Sequence, residues 1–223
     1  MRDQCAWKQR GCMMQKLYAG IAVAALAGIV AGPLIYRQIN SPADPFVTCR
    51  QGAVGGGAIG GPFTLVNGNG QTVTDAQVIT KPSLVYFGYT FCPDICPFDA
   101  ARNAQAIDLL EDRGLDAQPV FISIDPKRDT PEVMKDFAAN LHPKMVGLTG
   151  SEAQVKAASL AYKTYFKVQS AEDEFYLVDH STFTYLVLPQ LGFVEFFKRE
   201  TTPEQMAETA ACYIEAAESV PQN

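Results

Sequence analysis

The chain has 223 residues, 48% of them hydrophobic and 19% charged, with a formal net charge of -6. That length accommodates one globular domain plus an appendage, since domains run to about 100–200 residues. The acidic balance excludes a nucleic-acid binder, because phosphate recognition needs clustered Lys and Arg and no basic stripe with interleaved aromatic residues occurs.

Residues 17–36 contain no charged side chain. As a helix they span about 30 Å, the thickness of a bilayer's hydrocarbon core, and predict a single transmembrane segment. Arg2, Lys8, Arg10 and Lys16 precede the run against one acid, Asp3, and only Arg37 follows at once. This bias puts residues 1–16 in the cytoplasm and the rest of the chain outside, which for so short an N-terminus means the periplasmic side of a bacterial inner membrane. A cleaved signal peptide is the rival reading. Cys5 and Cys12 then face a reducing compartment as spare thiols, whereas Cys49, Cys92, Cys96 and Cys212 sit where disulfides persist. A lipid anchor on Cys49 is disfavoured by its distance from the apolar run. Residues 37–62, rich in Gly and Pro, predict a flexible tether, so the domain is expected over 63–217 with a short tail at 218–223.

Within the domain, Phe63–Val66 and Gln71–Thr74 flank Asn67-Gly68-Asn69-Gly70 and predict an N-terminal β-hairpin. Leu84–Tyr89 reads as a buried strand, residues 97–113 as a helix stopped by Gly114, and Val120–Ile124 as a second buried strand. Thr130-Pro131 opens a helix, Met145–Leu148 is a short strand, and Ser151–Tyr165 a helix capped by Ser151. Phe183–Leu188 and Phe193–Lys198 form a hairpin across Pro189-Gln190-Leu191-Gly192, and Thr202-Pro203 opens the final helix. Strands alternating with helices and closed by a hairpin predict an α/β, thioredoxin-like fold.

Chemistry concentrates in Phe87-Gly88-Tyr89-Thr90-Phe91-Cys92-Pro93-Asp94-Ile95-Cys96-Pro97, where a buried strand hands over to a helix. Backbone N–H groups and the helix dipole are expected to lower thiol pKa values there. Residues four apart on a helix have Cβ atoms about 5–6 Å apart, wider than the roughly 3.8 Å of a disulfide. A metal ion can bridge that gap. If Pro97 opens the helix, however, the cysteines share a loop and a disulfide becomes easier. Soft thiolates select Cu(I), zinc or iron–sulfur clusters, and two are too few for a closed zinc or cluster site. Of the two histidines, His142 in Leu141-His142-Pro143 reads as a surface loop residue. His180 precedes Phe183–Leu188, and in a thioredoxin-like fold that strand starts beside the cysteine turn, which makes it the third metal ligand.

Three blocks carry a family resemblance: FGYTFCPDICP, then Val120-Phe121-Ile122-Ser123-Ile124-Asp125-Pro126-Lys127-Arg128-Asp129-Thr130-Pro131, then VDHSTFTYLV. Together they resemble the Sco/SenC proteins, copper chaperones for the binuclear copper centre of cytochrome c oxidase. The resemblance covers roughly residues 62–215. It implies a copper ion, Cu(I) or Cu(II), on Cys92, Cys96 and His180, with the two thiols also able to cycle to a disulfide. The partners implied are oxidase subunit II and an upstream copper donor or thiol reductant. Rival functions are a thiol:disulfide reductase acting catalytically through Cys92 and Cys96, and a redox sensor. Departures from thioredoxin favour copper: the cysteines have three intervening residues, and no proline lies between Pro143 and Pro189 to supply a cis bond.

Other residues carry weaker expectations. Asp94 and Asp179 are each expected to orient a ligand or add negative charge that holds copper, with a solvated helix-start carboxylate the equal alternative for Asp94. Asp125–Asp129 reads mostly as turn chemistry, with Arg128 a lesser candidate for partner docking. Of Tyr89 and Phe91, at least one should pack in the core. Cys49 and Cys212, both placed outside the cytoplasm, either form a structural disulfide pinning the linker to the domain or remain two thiols.

Overall fold

The computed structural model describes residues 31–32, 44–50, 59–93, 95–169 and 175–220. Cys5, Cys12, Asp94 and, apart from Ala31 and Gly32, the predicted transmembrane segment lie outside the described residues. Among the described residues no helix is long and apolar enough to cross a membrane.

Strands β1 (Thr64–Asn67) and β2 (Thr72–Thr74) form the expected hairpin. The Asn67 carboxamide oxygen accepts from the N–H groups of Asn69 and Gln71, each at 3.0 Å, and Gly70 takes a φ of +76°, which a side chain would resist. A short helix, α1 (Asp75–Val78), follows, capped by Thr74 and Gln77. Strands β3 (Ser83–Gly88) and β4 (Gln118–Ser123) are buried along their full length. That is the pattern of parallel strands covered on both faces, and the two pair parallel in register from Ser83–Gln118 to Gly88–Ser123. Helix α2 (Ile95–Glu111) joins them.

Helix α3 (Pro131–Leu141) opens with Thr130 accepting from Val133 N–H. Strand β5 (Val146–Thr149) extends the sheet in parallel beside β4. Helix α4 (Glu152–Ala161) carries a capping box formed by Ser151 and Gln154. It ends four residues earlier than expected, because Lys163 adopts a left-handed φ of 54° and the chain turns into a strand. That strand, β6 (Phe166–Val168), pairs antiparallel with β7 (Val178–His180) in a separate two-stranded ribbon that the sequence reading missed. Each member has three residues, too few for an alternation to register. Strands β8 (Thr184–Leu188) and β9 (Gly192–Phe197) form the closing hairpin, and α5 (Pro203–Glu218) begins with a Thr202–Gln205 capping box.

Among the described residues, seven strands form one sheet in the order β2-β1-β5-β4-β3-β8-β9. One core, around Val85, Phe87, Phe121, Ile122 and Leu148, includes Cys92 and Cys96. The other joins Ile107 and Leu110 of α2 to Met206, Ala210 and Tyr213 of α5. Cys49 and Cys212 are disulfide-bonded within that second core, with Cα atoms 5.6 Å apart, and Phe46 packs on Tyr213 beside them. The structure thus answers for the disulfide. The architecture is α/β and thioredoxin-like, and the turn after β3 reaches the surface at Phe91, beyond the C-terminal end of the parallel strands, where open α/β sheets bind ligands.

Candidate metal centre

At that end of β3 the chain leaves Gly88, turns through Tyr89–Pro93 and enters α2 at Ile95. Cys92 therefore lies in the turn and Cys96 in the first helical turn, which settles the loop-or-helix question left by Pro97. Cys96 N–H points to Cys92 Sγ at 3.4 Å, and both cysteines are thiols. A Cβ on Gly88 would stand 2.8 Å from the rings of Phe121 and Tyr86 and 3.2 Å from Cys96 Sγ, so only glycine lets the helix start sit this close to the sheet.

His180 closes the site from the other side. It ends β7, in the ribbon, and its Nε2 lies 3.2 Å from Cys96 Sγ across 84 residues of sequence. Its Nδ1 lies 2.8 Å from the Ser181 carbonyl. A carbonyl only accepts, so with its proton on Nδ1 the imidazole bonds Ser181 and leaves the Nε2 lone pair toward the thiols. Burial lowers the imidazole pKa and favours the neutral, ligating form. The rings of Tyr86 and Tyr89 meet His180 edge-on at 6.1 and 5.9 Å and fix its plane. The two sulfurs and Nε2 all lie within 4.8 Å of one another, a spacing that one soft cation could bridge.

The electrostatics differ from the sequence expectation. Cys96 sits at a helix start, yet burial pushes its thiol well above the usual range, with the neighbouring Cys92 adding to the effect. Desolvation outweighs the helix dipole here because Cys96 is fully buried. A bound cation would favour the thiolate forms that burial disfavours.

Asp179 does not hold the ring, which the Ser181 carbonyl does; it is exposed and accepts from Gln169 Nε2, but its negative charge acts on His180, raising the imidazole pKa against the effect of burial. Tyr89 is buried and Phe91 is 54% exposed. Phe98, two residues after Cys96, is 69% exposed and Phe183, three after His180, is 38% exposed. Two residues escaped the sequence reading. Buried Asp99 accepts from Tyr86 Oη at 2.9 Å and is faced by Arg102 and Arg199. Tyr176, in the approach to β7, donates to Asp125 at 2.6 Å. Asp99 lay one helical turn after Cys96, which was the available signal; nothing local marked Tyr176.

His142 is buried, not on the surface as expected. It caps the C-terminus of α3, and its Nδ1 accepts from Lys144 N–H at 3.1 Å. The proton is therefore on Nε2, facing Asp108 at 3.1 Å, and Lys144 pairs with Glu111. With its lone pair and its acids already engaged, this second cluster is a structural knot that does not fit a metal.

Similarity to known proteins runs along the same residues. The chain is 49% identical over 204 residues to protein SenC of Rhodobacter capsulatus, covering 91% of each. Its structure resembles that of Arabidopsis thaliana ScoI with copper bound, at a TM-score of 0.66 and 38% identity, over 73% of this chain and all of that one. It also resembles BsSco, a member of the Sco family of cytochrome c oxidase assembly proteins in which a disulfide switch has been identified. That match has a TM-score of 0.58 and 27% identity, over 72% of this chain and 94% of the other. The SCO1/SenC family model matches residues 51–215, a span holding both cysteines of the turn and His180, and the chain belongs to the SCO1/SenC family.

Proposed function

We propose that this protein is a copper chaperone of cytochrome c oxidase assembly that holds one copper ion through Cys92 Sγ, Cys96 Sγ and His180 Nε2. The observation that carries this reading is the convergence of the three atoms within 4.8 Å, with the imidazole lone pair aimed at Cys96. Cu(I) suits the set: two soft thiolates neutralise and exceed its charge, and a neutral imidazole completes a three-coordinate shell. Binding releases the two thiol protons, so uptake weakens as pH falls.

Copper leaves by ligand exchange, an incoming thiol, thioether or imidazole of the acceptor replacing one ligand at a time. The acceptor in this reading is the binuclear copper site of oxidase subunit II. The exposed rings of Phe98 and Phe183 supply the apolar contact that holds it near. Residues 17–36 anchor the domain to the bacterial inner membrane, with the copper site in the periplasm; the Cys49–Cys212 disulfide supports an oxidising compartment.

Titration of the reduced protein with Cu(I) against a competing chelator tests the site. One tightly bound copper per chain, sharply weakened by His180→Ala, is expected; binding indifferent to His180→Ala would sink it. A second reading, thiol:disulfide reduction of the same acceptor, is favoured by the closeness of the two thiols. In that case Cys92 and Cys96 lose two electrons and two protons to the acceptor's disulfide, and His180→Ala leaves the rate unchanged.

A further inference from the structure

The proposed ligands come from two separate parts of the chain: the turn at Tyr89–Cys96 and the ribbon strand Val178–His180. They meet directly where the Val178 N–H donates to the Tyr89 side-chain Oη at 3.2 Å, where the Tyr89 and His180 rings meet edge-on, and where Cys96 Sγ faces His180 Nε2. Further ties pass through the segment between β4 and α3. Asp129 accepts from Thr90 N–H at 3.1 Å and Thr90 Oγ1 at 2.5 Å, and from Ser123 Oγ at 2.5 Å, holding the cysteine turn. Asp125 accepts from Tyr176 Oη at 2.6 Å and from Arg128 Nε at 2.5 Å, holding the ribbon.

Arg128 joins the two halves. Its guanidinium carbon lies 3.7 Å from the centroid of Tyr176, 4.8 Å from that of Phe91 and 5.7 Å from that of Tyr89. Phe91 immediately precedes Cys92, and Tyr176 stands four residues before His180. A planar cation can face these rings while its in-plane Nε–H bonds Asp125; an ammonium has the charge but neither the plane nor the fork. Arg128 reaches the site through Asp125 and these rings.

We propose that Arg128 is a positioning residue that sets the separation between the thiol pair and the His180 imidazole. The inference rests on the metal-centre reading above and gives the segment after β4, which read mostly as turn chemistry with Arg128 a lesser candidate for partner docking, a function inside the protein. Without the guanidinium, Asp125 still has Tyr176 and Asp129 still has Thr90, so the fold persists. The ribbon and the turn then lose their common wedge, and the imidazole no longer adds its share to binding.

The test is a double-mutant cycle on the full chain, reading Cu(I) affinity for wild type, Arg128→Lys, His180→Ala and the pair. Arg128→Lys is expected to weaken binding about 10- to 100-fold, the usual range for residues that orient metal ligands. In its background His180→Ala should add little further loss. Phe91→Leu, at an exposed position that cannot unfold the core, should act in the same direction. Metal-free protein supplies a second readout: amide exchange at Val178 should accelerate in Arg128→Lys while α5 stays protected. Additive losses in the cycle, or unchanged exchange at Val178, would overturn the inference even where thermal stability fell. Wild-type copper binding indifferent to His180→Ala would overturn the metal-centre reading instead, and the exchange measurement alone would then decide Arg128.

Discussion

Single atoms decide whether the site exists. The hydrogen that Gly88 carries in place of a side chain is one case. A methyl there meets Phe121, Tyr86 and Cys96 Sγ at 2.8–3.2 Å, and the first two are ring atoms of buried residues. Gly88→Ala should therefore destabilise the protein by about 1–3 kcal/mol, the usual cost of overpacking, and displace Cys96. Urea unfolding and thiol reactivity would check both; unchanged midpoints would refute the close-approach argument. Asp129 is a second case. Desolvation raises its pKa above the ordinary 3.8 despite hydrogen bonds from Ser123 and Thr90. The folded state thus binds more protons than the unfolded state just above that value, so stability falls as pH rises through the raised folded pKa. Asp129→Asn should flatten this part of the profile, measured as urea midpoints against pH. An unaltered slope would assign it to other groups.

At the scale of elements, capping chemistry is local and was read directly: Thr130, Ser151 and Thr202 all stand where they accept from the first helical turn. The Cys49–Cys212 bridge acts between elements, closing a sequence separation of 163 residues and tying the segment around Phe46 to α5. Cys49→Ser/Cys212→Ser should cost about 2–5 kcal/mol. Copper affinity should stay unchanged, because the bridge lies in the second core and the metal centre against the first. Calorimetry and copper titration on the same sample separate the two effects. The ribbon of β6 and β7 was the element the sequence hid. Its strands owe their pairing to each other and its position to Tyr176, beside β7, being held by Arg128 and to the bond from Val178 to Tyr89, both partners distant in sequence. A three-residue strand offers no periodicity of its own.

For the whole molecule, the surface around the site matters as much as the site. Phe98 is 69% exposed on α2, and the side chain is not needed for the fold. Large apolar groups kept in water near a reactive centre mark docking surfaces. Phe98→Ser should leave copper affinity intact and slow transfer to the soluble copper domain of oxidase subunit II about tenfold, the loss expected for one interface anchor worth about 1.4 kcal/mol. Stopped-flow transfer would check this, and an unchanged rate would remove Phe98 from the interface.

What the sequence determined by itself was everything carried by short-range pattern. It held the strand–helix alternation, the hairpin turns, the helix starts and the cysteine pair at the end of a buried strand. Those signals are local because hydrogen-bonded turns and caps involve residues within four positions of one another. Tertiary structure alone decided the rest. It placed His180 Nε2 against Cys96 from 84 residues away and turned the ring with the Ser181 carbonyl rather than with Asp179. Burial raised the Cys96 thiol where the helix start had suggested the reverse. Arg128 came to lie between the two ligand-bearing segments. Desolvation, ring stacking and the meeting of distant segments depend on which surfaces fold together, and no local window of sequence contains that information.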